Sequence, residues 1–158
     1  MLHVVLFRPE IPPNTGNIMR LCANTGTSLH LIHPLGFSLD DQLLRRAGLD
    51  YREWADVEEH ESFERFLSES SPSRVVAFTR NATASHASLE YEAGDTLLFG
   101  PESDGLPEDV LGHAGIAEQV RIPMVPRSRS LNLSNAVAIA LYEGLRQRGF
   151  PGLTTEGK

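Results

Sequence analysis

Ile122-Pro-Met-Val-Pro-Arg-Ser-Arg-Ser-Leu-Asn-Leu-Ser-Asn135 runs directly into Ala136-Val-Ala-Ile-Ala-Leu-Tyr-Glu-Gly-Leu-Arg-Gln-Arg148. It joins a proline-stiffened polar loop to an alanine-rich helix. Leu133, Val137, Leu141 and Leu145 recur every four residues, the spacing of a buried helical stripe. Ala136, Ala140 and Gly144 form a second row of small residues, which predicts close approach by another helix. Ser130, Asn132, Ser134 and Asn135 are expected to cap the first turn, whose backbone N–H groups have no internal partners. Two or three such groups suffice for capping. The surplus of amides and hydroxyls predicts a binding site.

Working outward from this helix, the chain alternates strands and helices. Leu2–Phe7 reads as a buried strand, and the prolines of 9–13 as a stiff, non-helical turn. Asn14 to Thr25 reads as a helix ended by Gly26. A strand at Leu29–Ile32 precedes a short helix capped by Ser38 and holding Leu43 and Leu44. A short strand near Trp54–Val57, an acidic helix around Ser62–Glu69 and strands at Arg74–Thr79 and Thr96–Gly100 follow. Pro107 is expected in the first turn of a short helix, and Gln119–Ile122 as the last strand. Alternation of this kind predicts a single α/β domain with a mostly parallel sheet and flanking helices.

The 158 residues suffice for one packed core. The 41% hydrophobic and 22% charged content is that of a water-soluble globular protein. No apolar run is long enough for a membrane span, and no leader precedes the first strand, so no membrane partner and a cytoplasmic location are expected. Cys22, the one cysteine, rules out an internal disulfide and is expected in the core. The net charge of −7 is concentrated in residues 50–69, which hold eight acids against Arg52 and Arg65. Residues 119–148 carry five arginines and one acid, Glu143, so a local basic surface is compatible with an acidic chain. The acidic stretch is expected to face away from any RNA. Six histidines show no ligand spacing such as His-x-x-x-His, and no metal is expected. There is no Gly-x-Ser-x-Gly elbow, phosphate loop or dinucleotide fingerprint.

Parallel α/β sheets bind ligands at the carboxyl ends of their strands. Three unusual segments lie there. One is Pro12-Pro-Asn-Thr-Gly-Asn-Ile-Met-Arg-Leu-Cys-Ala-Asn-Thr-Gly26, where Asn14, Asn17, Arg20 and Asn24 share one helical arc. Asparagine is a poor helix former, so its repetition suggests hydrogen bonding to a ligand. The second is Phe99-Gly-Pro-Glu-Ser-Asp-Gly-Leu-Pro107, whose glycines permit tight turns and close approach of a ligand to the backbone. The 122–135 loop is the third.

Together, Asn14-Thr-Gly-Asn-Ile-Met-Arg20, Phe99–Pro107 and Arg129-Ser-Leu-Asn-Leu-Ser-Asn135 resemble the three motifs of the SpoU branch of SPOUT RNA 2′-O-ribose methyltransferases. The resemblance runs from Met1 to about Gly152. Ile11–Asn17, Arg45–Tyr51 and Ile122–Pro126 are similar in particular to the minimal members that methylate the tRNA wobble nucleotide. The resemblance implies a C-terminal trefoil knot, a homodimer, S-adenosyl-L-methionine as cofactor and the tRNA anticodon stem-loop as substrate, with the methyl group placed on the 2′-hydroxyl of cytidine or modified uridine. It assigns cofactor contacts to Phe78, Gly100, Gly105, Ile122, Ser130 and Leu131. Arg20 matches the arginine assigned to activating the 2′-hydroxyl. Because a guanidinium stays protonated, its expected part is stabilising the alkoxide or placing a phosphate. Asn14, Glu102, Ser130 and Asn132 are implied to orient Arg20, the ribose or the cofactor. Methylation at another tRNA or rRNA site, and an RNA-binding homologue without catalysis, remain the alternatives.

Overall fold

A computed structural model describes residues 1–39 and 56–156. The expected helix holding Leu43 and Leu44, the Arg45–Tyr51 match and Trp54 lie outside the described residues. Among the described residues, seven strands form one sheet: β1 (His3–Phe7), β2 (Ser28–Ile32), β3 (Val57–His60), β4 (Arg74–Phe78), β5 (Ala84–Ser85), β6 (Asp95–Phe99) and β7 (Ile116–Arg121). Their order is β3-β2-β1-β6-β4-β7-β5, and every pairing is parallel. Among the described residues four α-helices flank the sheet: α1 (Pro12–Thr25), α2 (Phe63–Ser70), α3 (Glu108–Leu111) and α4 (Leu133–Gln147).

A parallel sheet covered on both faces needs strands that are apolar throughout, and the central strands meet that demand. Val4 and Leu6 of β1, Val76 and Phe78 of β4, and Leu97 and Phe99 of β6 face the core shared with α1 and α4. Their neighbours Val5, Phe7, Val75, Ala77 and Leu98 face the opposite core, with Phe63 and Phe66 of α2 and Val110 and Leu111 of α3. At the amino ends of β4 and β6, Arg74 donates from Nε and Nη2 to the buried Asp95 carboxylate at 2.7 and 2.6 Å. That clamp closes one end of the sheet and leaves the carboxyl ends open.

Several boundaries differ from the sequence expectation. Pro12 and Pro13 occupy the first two positions of α1. First-turn N–H groups lack intrahelical acceptors anyway, so proline loses nothing there. Pro107 sits one residue before α3, as its cap residue. Residues 84–85 add a short strand that hydrophobic patterning does not reveal.

The buried stripe of α4 is as expected, with Val137 and Leu141 fully buried. The small-residue row is used differently. Ala140 is fully buried, and a Cβ on Gly144 would lie 2.8 Å from Leu2 and Tyr91 side-chain atoms of the same chain. The row therefore accommodates the chain's own core and gives no support for contact with a second copy. No helix among the described residues is long and apolar enough to cross a membrane.

Candidate functional site

The segments that leave β1, β4, β6 and β7 surround a cavity of about 480 Å³. Every site residue expected from the sequence lines it except Arg20: Asn14 from α1, Phe78 ending β4, Gly100, Glu102 and Gly105 after β6, and Ile122, Ser130, Leu131 and Asn132 after β7. Phe78 stacks on Phe99 with ring centroids 4.7 Å apart and planes inclined by 20°. With Leu106, Ile122 and Leu133 these rings give the cavity apolar walls, and Glu102 and Asp104 give it an acidic edge.

The loop after β6 owes its shape to its glycines. A Cβ at Gly100 would lie 2.3 Å from the Leu106 backbone nitrogen and 2.4 Å from the Gly105 carbonyl carbon, so only glycine lets the loop close on itself. Gly105 reverses the chain at φ +73°, a conformation glycine adopts without penalty.

Glu102 fixes this loop to the start of α1. Its carboxylate accepts the backbone N–H groups of Glu10 at 2.7 Å and Ile11 at 3.1 Å, and the Asn14 side-chain amide at 3.1 Å. Glu10 returns the connection by accepting the Ser103 N–H at 2.9 Å and its hydroxyl at 2.8 Å. A carboxylate next to a helix N-terminus is also favoured by the helix dipole. The buried Asn14 accepts from the Asn132 side-chain amide at 2.9 Å. Asn132 in turn caps α4, its Oδ1 accepting from the N–H groups of Ser134 and Asn135. Of the four residues expected to cap α4, Asn132 performs that task. All three sequence motifs thus meet in one hydrogen-bonded chain, Glu102–Asn14–Asn132. Glu102, Asn14 and Asn132 hold the cavity wall together, a structural task that the sequence does not reveal.

Arg20 is exposed on α1, about 120° around the helix from Asn14 at a step of about 100° per residue. It shares an arc with Asn17 and Asn24, which are exposed as well. Sequence reasoning missed Arg80, Asn81 and Arg121, which line the cavity and also an adjoining shallow groove with Arg127. Their position immediately after β4 and at the end of β7 was the available signal. The groove's three arginines suit an anionic backbone. No histidine, lysine or cysteine lines the cavity among the described residues. Cys22 is buried on α1, and burial pushes its thiol up to about 12.

The sequence model of the SpoU rRNA Methylase family matches residues 1–142. The chain belongs to that family. Among SpoU relatives, the tRNA (cytidine(34)-2′-O)-methyltransferase of Escherichia coli strain K12 is 54% identical over 152 residues, covering 96% of this chain and 97% of its own. A solved structure described as giving structural insights into the 2-OH methylation of C/U34 on tRNA superposes with a TM-score of 0.87 at 49% identity, over 94% of this chain and 97% of that one. A third, an AdoMet-bound rRNA methyltransferase from Sinorhizobium meliloti, has a TM-score of 0.80 at 27% identity, covering 92% of this chain and 56% of its own. The SpoU family places S-adenosylmethionine chemistry on a fold of this kind.

Proposed function

We propose that this chain transfers the methyl group of S-adenosyl-L-methionine to the ribose 2′-hydroxyl of the wobble nucleotide, cytidine or modified uridine, in tRNA. The observation that carries the reading is the identity to a relative of that activity along almost its whole length, together with a cavity assembled from the same three motifs. The residues present fit the cofactor. Stacked Phe78 and Phe99, with Ile122 and Leu131, provide apolar surfaces for an adenine. Gly100 and Gly105 bring backbone to the cavity surface, Ser130 adds a hydroxyl, and the negative charges of Glu102 and Asp104 would favour a bound sulfonium cation. The cofactor supplies an already activated methyl group, so the protein's tasks are alignment and handling of one proton.

Glu102, Asn14 and Asn132 keep the wall in register, and Ser130 orients the ribose or the methionine end. The arginines at 80, 121 and 127 hold RNA phosphates beside the cavity mouth. Arg20 stabilises the developing alkoxide or anchors the adjacent phosphate. Because it lies outside the cavity of its own chain, it performs that task on substrate held by a second copy. A homodimer fits the exposed Ile139 and Tyr142 of α4 and Phe150 just beyond it. A trefoil knot at the C-terminus and a cytoplasmic location belong to the same reading. β3, bearing the exposed Glu58 and Glu59, is the outermost strand, with β2 and β1 between it and β6. That order supports an acidic surface turned away from the RNA.

The test is transfer of labelled methyl from S-adenosylmethionine to bulk tRNA from cells lacking the protein, with nucleoside mapping. A 2′-O-methylated wobble nucleotide is expected. Label at another position would overturn the substrate while keeping the enzyme class, and absence of label on any RNA would overturn both.

A further inference from the structure

Outside the cavity lining, β2 and β3 carry a second cluster of titratable side chains. His30 of β2 and His60 of β3, each 4% exposed, face each other with Nδ1 of His30 3.1 Å from Nε2 of His60. Glu58, aligned with His30 in the parallel register, places Oε2 3.5 Å from His30 Nδ1 and 4.0 Å from His60 Nε2. The other nitrogen of His60, Nδ1, lies 2.8 Å from the Glu69 carboxylate of α2. Phe66 packs at 5.3 Å against both imidazoles.

We propose that His30, Glu58 and His60 form a zinc-binding site that fastens the outermost strand and α2 to the sheet. Three observations carry it. Four-coordinate zinc with bonds of about 2.0–2.1 Å separates its ligand atoms by about 3.3–3.4 Å. The three distances bracket that value, and Glu58, whose side chain is 65% exposed, is free to rotate inward by the small amount required. Glu69 also has a defined part. A carboxylate facing Nδ1 keeps the proton of His60 there, so the Nε2 lone pair points at the shared centre, as in carboxylate–histidine–zinc arrangements. His30 reaches the same state by moving its proton to Nε2, with no net proton loss. Finally, Phe66 covers one side of both imidazoles while the Glu58 side chain is 65% exposed, so water can supply the fourth ligand. The histidines come from different strands and are thirty residues apart, so no sequence spacing announces them. Without an ion, the same groups form a hydrogen-bonded relay from Glu69 through His60 to His30. The experiment separates these two states.

Full-length protein without a histidine tag is stripped with chelator and titrated with Zn2+ by competition against a chromophoric chelator. One equivalent per chain with a dissociation constant below about 1 μM is expected, together with a zinc-dependent rise in Tm. Co2+ should give the strong visible absorption of a four-coordinate ion. Glu58→Gln, an exposed change that leaves the core intact, should abolish the cobalt band and weaken zinc at least about tenfold. Glu69→Gln, which alters a positioning residue, should weaken zinc by about 10–100-fold. Failure to bind one equivalent would overturn the site. So would retention of wild-type affinity by Glu58→Gln and His60→Gln, because the ion would then lie elsewhere.

Discussion

At the scale of single residues, the two glycines of the loop after β6 separate two kinds of constraint. Gly100 is required by space, since a Cβ meets backbone at 2.3 Å, and backbone cannot be moved aside as a flexible side chain can. Gly105 is required only by its φ of +73°, with nothing within 4 Å of a Cβ. Gly105→Ala should therefore cost about 1–2 kcal/mol and keep the cavity. Gly100→Ala should cost more than that and also abolish binding of S-adenosylmethionine, because the loop that lines the cavity must open. Calorimetric titration and thermal melts of the two variants measure the contrast; equal losses would refute it. Cys22 offers a simpler check. Its thiol is buried and pushed up to about 12, which leaves almost no thiolate at neutral pH. It should react with a thiol reagent only as fast as the protein unfolds.

At the scale of elements, the cavity wall is a joint between α1, α4 and the loop after β6. Asn14 and Asn132 share one hydrogen bond, and Asn14 passes the connection to Glu102. Removing either asparagine breaks the same chain, so Asn14→Ala and Asn132→Ala should be non-additive in a double-mutant cycle by about 1 kcal/mol. Asn132→Ala should carry the larger single effect, because it also uncaps α4. On the same helix, hydrogen bonds from Arg146 and Gln147 hold Glu143 down to about 2. The stability this adds is present above the ordinary value of 4.5 and is lost as pH falls from there towards about 2. The Arg146 side chain is 62% exposed and screened by solvent, so the loss should stay below about 1 kcal/mol and should be missing from melts of Glu143→Gln across that range. The elements themselves were legible wherever periodicity was strong. Four-residue spacing located the buried stripe of α4, and unbroken apolar runs located the central strands. The joint was not legible, because one asparagine's choice between solvent, a cap and a distant carboxylate depends on loops that meet only after folding. For the same reason, the small row at Ala140 and Gly144 suggested close approach by another helix, when the side chains of Leu2 and Tyr91 fill the space at Gly144.

At the scale of the whole molecule, the decisive fact is that the cavity and Arg20 do not coincide. All the other expected residues converge on one cavity, because parallel topology delivers the ends of β1, β4, β6 and β7 to a single rim. Arg20 shares α1 with Asn14 but projects from a different side of it. If Arg20 acts on substrate held by a second copy, active sites are composite and two inactive variants should rescue each other. Arg20→Ala leaves its own cavity intact, whereas Leu131→Asp places a charge against the apolar wall and removes cofactor binding. In a mixed dimer, the cavity of the Arg20→Ala chain is served by the Arg20 of the Leu131→Asp chain. Random mixing of equal amounts makes half the dimers mixed, each with one competent site, so about a quarter of the wild-type rate should return under two-fold symmetry. Each variant alone should remain inactive, and the recovered rate should scale with the fraction of mixed dimers as the proportions are varied. If cavity and arginine work within one chain, no mixture exceeds the sum of its inactive parts, and Arg20 must reach the substrate by movement of its own helix.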